Sequence, residues 1–356
     1  MKMDQRTKQT THQRGLDLDP TDLARADAGP IDVARLRNLV GRSVVDHRDL
    51  MREDVVALCR LAARMESAEV APSHPLDGKL VITAFFEAST RTRLSFESAA
   101  LRLDAKVLSV PDGKVTGAAK GESLVDMGEM FNSYGDLLVV RHPRTDAIDE
   151  LLTYLRRPLI NAGNGTGEHP TQALVDWYAL LKWKPSLMEP EPKAGQRMHL
   201  GIIGTPGNMR AVKSFMYQVL AFAPHFRRVT VISEMADPFG ANLTAAVEAT
   251  DLQVEVTNDA TPVIEDLDVI YMNSIAFLGD TYKELDNRYK INAKTPLKSG
   301  SVVMHPLARR EELDPGLDDT AHNLYFAQAA GAVYVRQALL VTLLGRLERL
   351  PTELLI

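Results

Sequence analysis

Cysteine is almost absent from this sequence, and long uninterrupted apolar runs are absent from it as well. Cys59 is the single cysteine among 356 residues, which excludes an internal disulfide framework and a cysteine-based metal cluster. No window approaches the ~18 apolar residues that a membrane-spanning helix needs. The N-terminus also lacks the apolar core of a secretion signal. The sequence therefore predicts a cytoplasmic protein that makes no use of a membrane.

An excess of charge of one sign is also lacking. The formal net charge is −6, with both signs interspersed along the chain, which argues against a surface for nucleic acid or anionic membrane. Hydrophobic residues make up 45% of the chain and charged residues 25%, as in ordinary globular proteins. The length suffices for two compact domains.

Apolar, β-prone runs alternate with helical patterns in two series. This alternation predicts an α/β fold of two doubly wound parallel-sheet domains, with the active site in the cleft between them. The predicted strands lie at residues 79–86, 105–110, 136–140 and 158–161, and then at 198–203, 229–233, 253–256, 267–272 and 301–304.

A proline-rich stretch between residues 185 and 192 separates the two series, as expected of a boundary between domains. We assign residues 36–180 to the first domain and 195–325 to the second. Residues 1–35 are polar and rich in turn formers, so they predict a mobile extension. Residues 326–356 contain a final helical pattern.

The most informative stretch runs from Phe85 to Glu97, where a predicted strand leads directly into a helix. Its first turn carries Ser89, Thr90, Arg91 and Thr92. A helix N-terminus offers unpaired N–H groups and a partial positive charge, so a phosphate there gains donors, hydroxyls and a guanidinium together. The alternative interpretation is a capped helix with solvated arginines.

Further polar residues follow other predicted strands. Arg91, Arg141, His169 and His305 each come directly or shortly after one. Because the carboxyl ends of parallel strands meet at one edge of a sheet, these side chains are expected to converge on one anionic ligand.

The phosphate-binding stretch resembles the carbamoyl-phosphate signature of the aspartate and ornithine carbamoyltransferase family. The similarity extends, in the family's order, over nearly everything after residue 40. It is carried by Lys120-Gly121-Glu122, Arg141-His142-Pro143, His169-Pro170-Thr171-Gln172, His305-Pro306-Leu307 and Arg336-Gln337-Ala338-Leu339-Leu340. Ordered motifs of this kind are far harder to obtain by accident than a single one.

The resemblance implies a carbamoyl-phosphate-binding first domain, an amino-acid-binding second domain and a C-terminal helix that returns to the first. It implies that His169 polarises the carbonyl group and that Gln172 orients the carbamoyl amide. The catalytic residues it implies are Arg91, Thr92, Lys120, Arg141, His169 and Gln172. The donor-binding residues it implies are Ser89, Thr90, Arg91, Thr92, Thr116, Lys120, Arg141, His169, Gln172, Pro306 and Leu307.

The glycine-rich loop at residues 111–122 is predicted to be mobile. It resembles the family loop that carries a lysine, here Lys120, into the neighbouring subunit's site, with Thr116 where the family commonly has serine. The resemblance therefore implies a homotrimer with shared active sites.

The acceptor side departs from the family pattern. Arg210, Ser274 and Leu307 are the acceptor-binding residues the resemblance implies, with Arg210 for the acceptor's α-carboxylate. Ser274 and Ala276 stand where aspartate-specific members have arginine and glutamine, and neither can replace a guanidinium. The candidates for the missing charge are Lys283, Arg288 and Lys290.

Two further positions depart from the family pattern. Ala308 replaces a proline that usually follows a cis bond, and Ala327 replaces an arginine or glutamine.

Three hypotheses remain open at this point. The first is a carbamoyltransferase with aspartate as the default acceptor, or another amino acid or amine. The second is a catalytically silent homologue that serves as a binding or structural partner. The third, a nucleotide-dependent oxidoreductase, is disfavoured because no Gly-x-Gly-x-x-Gly fingerprint is present. We find no metal-ligand spacing, so the sequence predicts neither a metal nor a cofactor.

Overall fold

The computed structural model describes residues 15–25, 30–68, 74–273 and 287–356. Within them the chain forms two α/β units, each built on a sheet of parallel strands. Most strands read as continuous apolar runs because helices cover both faces of a parallel sheet. The predicted fold class is confirmed.

The first sheet has the strand order β2-β1-β3-β4. Its strands are β1 (Leu80–Phe85), β2 (Lys106–Val110), β3 (Leu137–His142) and β4 (Leu159–Asn164). The helices of this unit are α3 (Arg52–Ser67), α4 (Thr90–Arg102), α5 (Leu124–Tyr134), α6 (Ala147–Leu152) and α7 (Pro170–Trp183). Central strand β1 pairs with β2 on one side and with β3 on the other, and its register brings Phe85 beside Arg141. The central strands therefore end at the same edge.

The second sheet has the order β7-β6-β5-β8-β9. Its strands are β5 (Met198–Ile203), β6 (Phe226–Ile232), β7 (Val254–Thr257), β8 (Val269–Met272) and β9 (Val302–Met304). The helices are α8 (Arg210–Ala221) and α9 (Ala241–Glu248). Every strand predicted from the sequence is present, with ends displaced by a few residues at most.

Two short helices precede the first sheet, α1 (Thr21–Ala24) and α2 (Val33–Arg37), and both contact α3. Leu23 and Ile31 are buried, so these parts of the predicted mobile extension are packed against the first unit. Residues 1–14 and 26–29, which belong to the same predicted extension, lie outside the described residues.

The last long helix, α10 (Tyr325–Leu343), packs against α3, α4 and α7. The predicted pattern begins at residue 333, so the helix starts eight residues before it. Contrary to the expectation from the sequence, α10 is long and apolar enough to cross a membrane by length and composition alone. Most of it is buried inside the protein, and its apolar run is interrupted by the buried Gln328 and Arg336, as in a core helix of a globular protein.

Candidate active site

A cleft of about 930 Å³ lies at the carboxyl ends of strands from both sheets. It brings together most residues predicted from the sequence: Ser89, Thr90, Arg91, Thr92, Arg141, His169, Gln172, Arg210, Pro306 and Leu307. The cleft follows from the topology, because β1, β3, β4 and β9 all end at its walls. A position of this kind is typical of ligand sites in parallel sheets.

The N-terminus of α4 forms one wall. Ser89 precedes the helix in an extended conformation, and its side chain makes no capping hydrogen bond. The first N–H groups of α4 therefore have no partner from a cap, which is the arrangement that favours a bound phosphate. Thr92 is buried in the first turn, whereas Arg91 is exposed beside it.

Arg141, at the end of β3, is fixed from behind. Its Nη1 donates to the carbonyl oxygen of Ala162 at 3.3 Å, and its Nη2 donates to Glu87 Oε1 at 2.8 Å. Its Nε is buried and has no hydrogen-bond partner in the described part of the chain. Burial lowers the pKa of Arg141, and the nearby charge of Arg210 lowers it further. The guanidinium is therefore held in place by two hydrogen bonds, and its Nε–H remains as a donor.

Glu87 joins the two units through Arg210, the first residue of α8. Arg210 Nη1 donates to Glu87 Oε2 at 2.9 Å and to the carbonyl oxygen of Gly165 at 2.9 Å, while Nη2 donates to Glu87 Oε1 at 2.6 Å. Burial alone would raise the pKa of Glu87, but hydrogen bonds and charges from Arg210 and Arg141 outweigh it and lower that pKa. The carboxylate therefore stays ionised between two arginines.

Gly163 permits this close approach. Its φ is +112°, and a Cβ there would lie 3.0 Å from Nε of Arg210 and 3.2 Å from Nη1 of Arg141. A side chain would push the two guanidinium groups away and strain the backbone.

His169 is buried directly before Pro170, the first residue of α7. Its backbone N–H donates to Ser214 Oγ at 2.8 Å. Burial lowers the pKa of His169 well below its usual value, and the charges of Arg141, Arg210 and Arg336 lower it further. The imidazole is therefore neutral at neutral pH, a form that can donate one hydrogen bond without carrying charge.

The segment from His305 to Leu307 follows β9 and closes the cleft on the second unit. The N–H of Leu307 donates to His305 Nδ1 at 2.8 Å, so the proton lies on Nε2, which is 3.0 Å from Glu312 Oε1. Leu307 has a φ of 57°, and its bond to Ala308 is cis. This segment lines the cleft, and the imidazole of His305 supports it by accepting from the N–H of Leu307.

Arg336 on α10 also lines the cleft. It is fully buried, its Nη1 donates to Ser95 Oγ at 2.7 Å, and it stacks 4.6 Å from the ring of Phe96. Burial lowers its pKa to about 9, so it remains charged at neutral pH.

Comparison with known proteins decides the family. Residues 42–182 match the family model described as the aspartate/ornithine carbamoyltransferase carbamoyl-P binding domain. Residues 196–343 match the model of the Asp/Orn binding domain of the same family. This chain belongs to the aspartate/ornithine carbamoyltransferase family. The match covers both units that form the cleft.

Relatives and solved structures agree with this membership. The aspartate carbamoyltransferase catalytic subunit of Picrophilus torridus is 35% identical over 315 residues, which cover 86% of this chain and 99% of that protein. The corresponding subunit of Thermoplasma volcanium is 35% identical and covers 86% and 99%. Aspartate transcarbamoylase from Trypanosoma cruzi, with carbamoyl aspartate and phosphate, superposes with a TM-score of 0.75 at 29% identity over 87% of this chain and 98% of its own. The family and the relatives make this chain a carbamoyltransferase rather than an oxidoreductase.

The family's loop at residues 113–122 lies apart from the cleft lining in the single chain. It forms two short 3-10 helices, Gly113–Val115 and Gly117–Lys120. Thr116 Oγ1 donates to the carbonyl oxygen of Gly113 at 2.7 Å, and Lys120 is exposed. The structure therefore does not bring these two predicted residues to the other donor-site residues within one chain.

The residues predicted to recognise the acceptor's second carboxylate fall into two groups. Ser274, Ala276 and Lys283 lie outside the described residues. Arg288 donates towards the carbonyl oxygen of Asn258 at 3.4 Å, and Lys290 pairs with Glu311 at 3.3 Å. Neither of these two candidates for the missing charge is among the described residues that line the cleft.

A group of potential metal ligands occurs outside this cleft. Asp46, His47 and Glu168 place one ligand atom each within 4.8 Å of the others. His47 Nδ1 is 2.7 Å from Glu168 Oε1, and Asp46 accepts hydrogen bonds from Arg48. His47 and Glu168 are therefore paired with each other, and Asp46 is paired with Arg48. These contacts explain the positions of the three side chains without a metal ion.

Glu87, Asp176, Gln328 and Arg336 are functional candidates to which the sequence analysis assigned no role. In the sequence, Glu87 could have been noticed because it stands immediately before the phosphate-binding turn. Asp176 could have been noticed because it is an acidic residue inside an apolar helical pattern, where a buried charge is costly unless it has partners.

Proposed function

We propose that this protein transfers the carbamoyl group of carbamoyl phosphate to the α-amino group of aspartate and releases phosphate, as a step of pyrimidine biosynthesis. One observation carries the proposal: the N-terminus of α4, Arg141, the neutral His169 and Gln172 line one cleft together with Arg210. The Trypanosoma cruzi enzyme, whose fold matches, binds carbamoyl phosphate with aspartate.

The donor binds in the first unit. Its phosphate accepts hydrogen bonds from the free N–H groups of α4 and from the hydroxyls of Ser89, Thr90 and Thr92. It also pairs with the charged guanidinium of Arg91. A dianion gains most from donors that are already in place, because no reorganisation is then needed. Arg141 and His169 donate to the carbonyl oxygen.

The reaction forms a C–N bond and breaks the C–O bond to phosphate. The unprotonated amine attacks the carbonyl carbon, and negative charge develops on the carbonyl oxygen before phosphate departs. Arg141 and the imidazole N–H of His169 stabilise that oxygen, while the α4 N-terminus stabilises the departing phosphate. Holding both reactants in one cleft supplies a further large part of the rate acceleration. No covalent enzyme intermediate is required.

The acceptor binds beside the second unit, where Arg210 pairs with its α-carboxylate. In the structure Arg210 pairs with Glu87. The acceptor carboxylate therefore either displaces Glu87 or shares the guanidinium with it. Leu307 contributes backbone contacts on this side.

Product analysis tests the proposal directly. The protein is supplied with carbamoyl phosphate and aspartate, then with a panel of amino acids and diamines, and products are detected by mass spectrometry. N-carbamoylaspartate is the expected product. Product with another amine alone would overturn the assignment of aspartate, and no product from any amine, despite phosphate binding, would show a silent homologue.

We further propose that the protein works as a cytoplasmic homotrimer, in which Lys120 and Thr116 complete the site of a neighbouring subunit. Two features support this: these residues lie apart from the cleft lining within one chain, and several large apolar side chains of the first unit are exposed. Leu94 and Leu101 on α4 are 50% and 58% exposed, and Leu108 on β2 is 46% exposed. Leu94 and Leu101 line one surface pocket, and exposed apolar side chains that lie together are typical of a protein interface.

Mixing two inactive variants tests the shared site. Lys120→Met and Arg141→Met are each expected to be inactive as pure trimers. After dissociation and reassembly together, roughly a quarter of the sites receive both intact residues by random assortment. Recovery of about that share of wild-type activity supports the shared site, and no recovery from a reassembled mixed trimer contradicts it.

A further inference from the structure

A buried carboxylate lies behind the cleft, where it contacts no part of the proposed substrates. Asp176 on α7 is fully buried, and three side chains donate to it. Gln172 Nε2 lies 2.7 Å and Gln328 Nε2 lies 2.5 Å from its Oδ1. The hydroxyl of Tyr271 lies 2.7 Å from its Oδ2. These donors come from α7, α10 and β8, so one carboxylate connects both units with the last helix.

The chemistry of the carboxylate fixes the direction of both glutamine amides. An ionised carboxylate can only accept hydrogen bonds, so each glutamine must turn its NH2 group towards Asp176 and its carbonyl oxygen away. For Gln328 the result is visible, because its Oε1 accepts from the backbone N–H of His305 at 3.1 Å. For Gln172, which lines the cleft, the carbonyl oxygen is left for the ligand.

We propose that Asp176 is a positioning residue for carbamoyl transfer, which sets the direction of two amides at once. Through Gln172 it presents an acceptor oxygen to the NH2 group of the carbamoyl donor. Through Gln328 it fixes the start of the segment from His305 to Leu307. This inference rests on the proposed function.

The surroundings of Asp176 act on its pKa in opposite directions. Burial raises its pKa to about 7, although the hydrogen bonds from its three partners and the charge of Arg336 act in the opposite direction. Tyr271 is the only other titratable partner bonded to it among the described residues. Both amides donate to Oδ1, which accepts from them even when Oδ2 carries a proton, because the Tyr271 hydroxyl on that side can accept as well as donate.

Asp176→Asn tests the inference with almost no change of volume. The new NH2 group faces either the two glutamine amides, one of which must then turn its carbonyl oxygen towards position 176, or the Tyr271 hydroxyl, which must then accept. In both cases a charged acceptor of the two amides is lost. We expect kcat at saturating substrates to fall between 10-fold and 100-fold, the usual range for residues that orient a site from behind. Asp176→Glu, which keeps the charge, should recover part of the loss.

The matched control is Asp54→Asn on α3. Asp54 is also a buried carboxylate, which accepts from Arg35 at 3.1 Å and from the Met51 N–H at 2.9 Å, away from the cleft. The same chemical change there should lower stability and leave kcat within about twofold of wild type.

A double-mutant cycle separates positioning from general packing. If Asp176 acts through Gln172, then Asp176→Asn should lower kcat much less in a Gln172→Met background than in the wild type. A structural role alone predicts additive effects. Wild-type kcat in Asp176→Asn, or additive effects in the cycle, would overturn the inference.

If Asp176→Asn does not fold, Gln328→Met serves instead, because it keeps the carboxylate and removes one amide. A kcat at least tenfold lower supports the inference, and a kcat within threefold of wild type overturns it. A wild-type protein that is inactive with every amine would instead overturn the proposed function, so the two failures are distinguishable.

Discussion

The donor half of the cleft and its acceptor half differ in how their described side chains are held. On the donor half, His169 and Thr92 are buried and Arg141 is held by two neighbours. On the acceptor half, Arg210 is the only arginine or lysine among the described residues that line the cleft from the second unit. Its side chain is already engaged by Glu87 and Gly165.

This difference indicates how the two ligands are recognised. The donor meets groups that are in place before it arrives, so little conformational entropy is lost on binding. The acceptor meets a guanidinium that already donates to Glu87 across the two units, and it either displaces this carboxylate or shares the guanidinium with it. Where it displaces Glu87, part of its binding energy is used to change the contact between the two units.

Arg141→Met tests the donor half and is expected to have the largest effect on activity. The change leaves the developing oxyanion with one donor fewer and Glu87 with one arginine fewer. We expect kcat to fall about 10³-fold, in the range measured when one oxyanion donor is removed. Steady-state kinetics at saturating substrates measure the effect.

Arg144→Met is the control for this experiment, since Arg144 follows the same strand but bonds to the exposed Asp146 and Glu150. It should leave kcat unchanged. If both variants lost the same activity, a general charge effect rather than a specific hydrogen bond would be responsible.

The acceptor half is tested by Arg210→Met. Loss of a guanidinium that binds a carboxylate is expected to raise the KM for aspartate about 100-fold. The affinity for inorganic phosphate, measured by calorimetry, should stay within threefold, because Arg210 donates to Glu87 and Gly165 and not to the residues at the N-terminus of α4 that meet the phosphate. Equal losses for both ligands would show that the halves do not act separately.

Lys213→Met provides a matched change one turn later on α8. Lys213 donates to the carbonyl oxygen of Thr166 at 2.7 Å and is not among the described residues that line the cleft. Its substitution should alter neither constant by more than threefold.

Much of the donor half can be predicted from the sequence, because its residues stand in local motifs next to strand ends. Thr92, Arg141 and His169 are examples, and strand order brings each to the same edge of the sheet. Most of the strands follow from apolar runs of suitable length. The start of α10 is harder to predict, since Gln328 interrupts the apolar pattern there.

The remaining features depend on contacts between residues far apart in sequence. Glu87 and Arg210 are separated by 123 positions, and Asp176 and Gln328 by 152. No local pattern reports such pairs, so their roles become visible only when the two sheets are placed together. In the homotrimer proposed above, the place of Lys120 would similarly depend on contacts beyond one chain.

A smaller and subtler effect concerns the pH dependence of stability. The native pKa of His169 lies well below its usual value because of burial and three neighbouring arginines, whereas the unfolded chain has a pKa near 6.5. As pH falls below that value, the unfolded state takes up a proton that the native state does not, so stability is lost. Between pH 8 and pH 5 this histidine should therefore contribute to a loss of stability as pH falls.

His169→Gln removes the titrating group while keeping a polar side chain of similar reach. Denaturant unfolding at several pH values should therefore show a smaller loss of stability in the variant than in the wild type as pH falls from 8 to 5. Parallel curves would mean that His169 titrates normally in the native protein. The donor half would then carry a charged imidazole at low pH and would be less rigidly set than the comparison with the acceptor half requires.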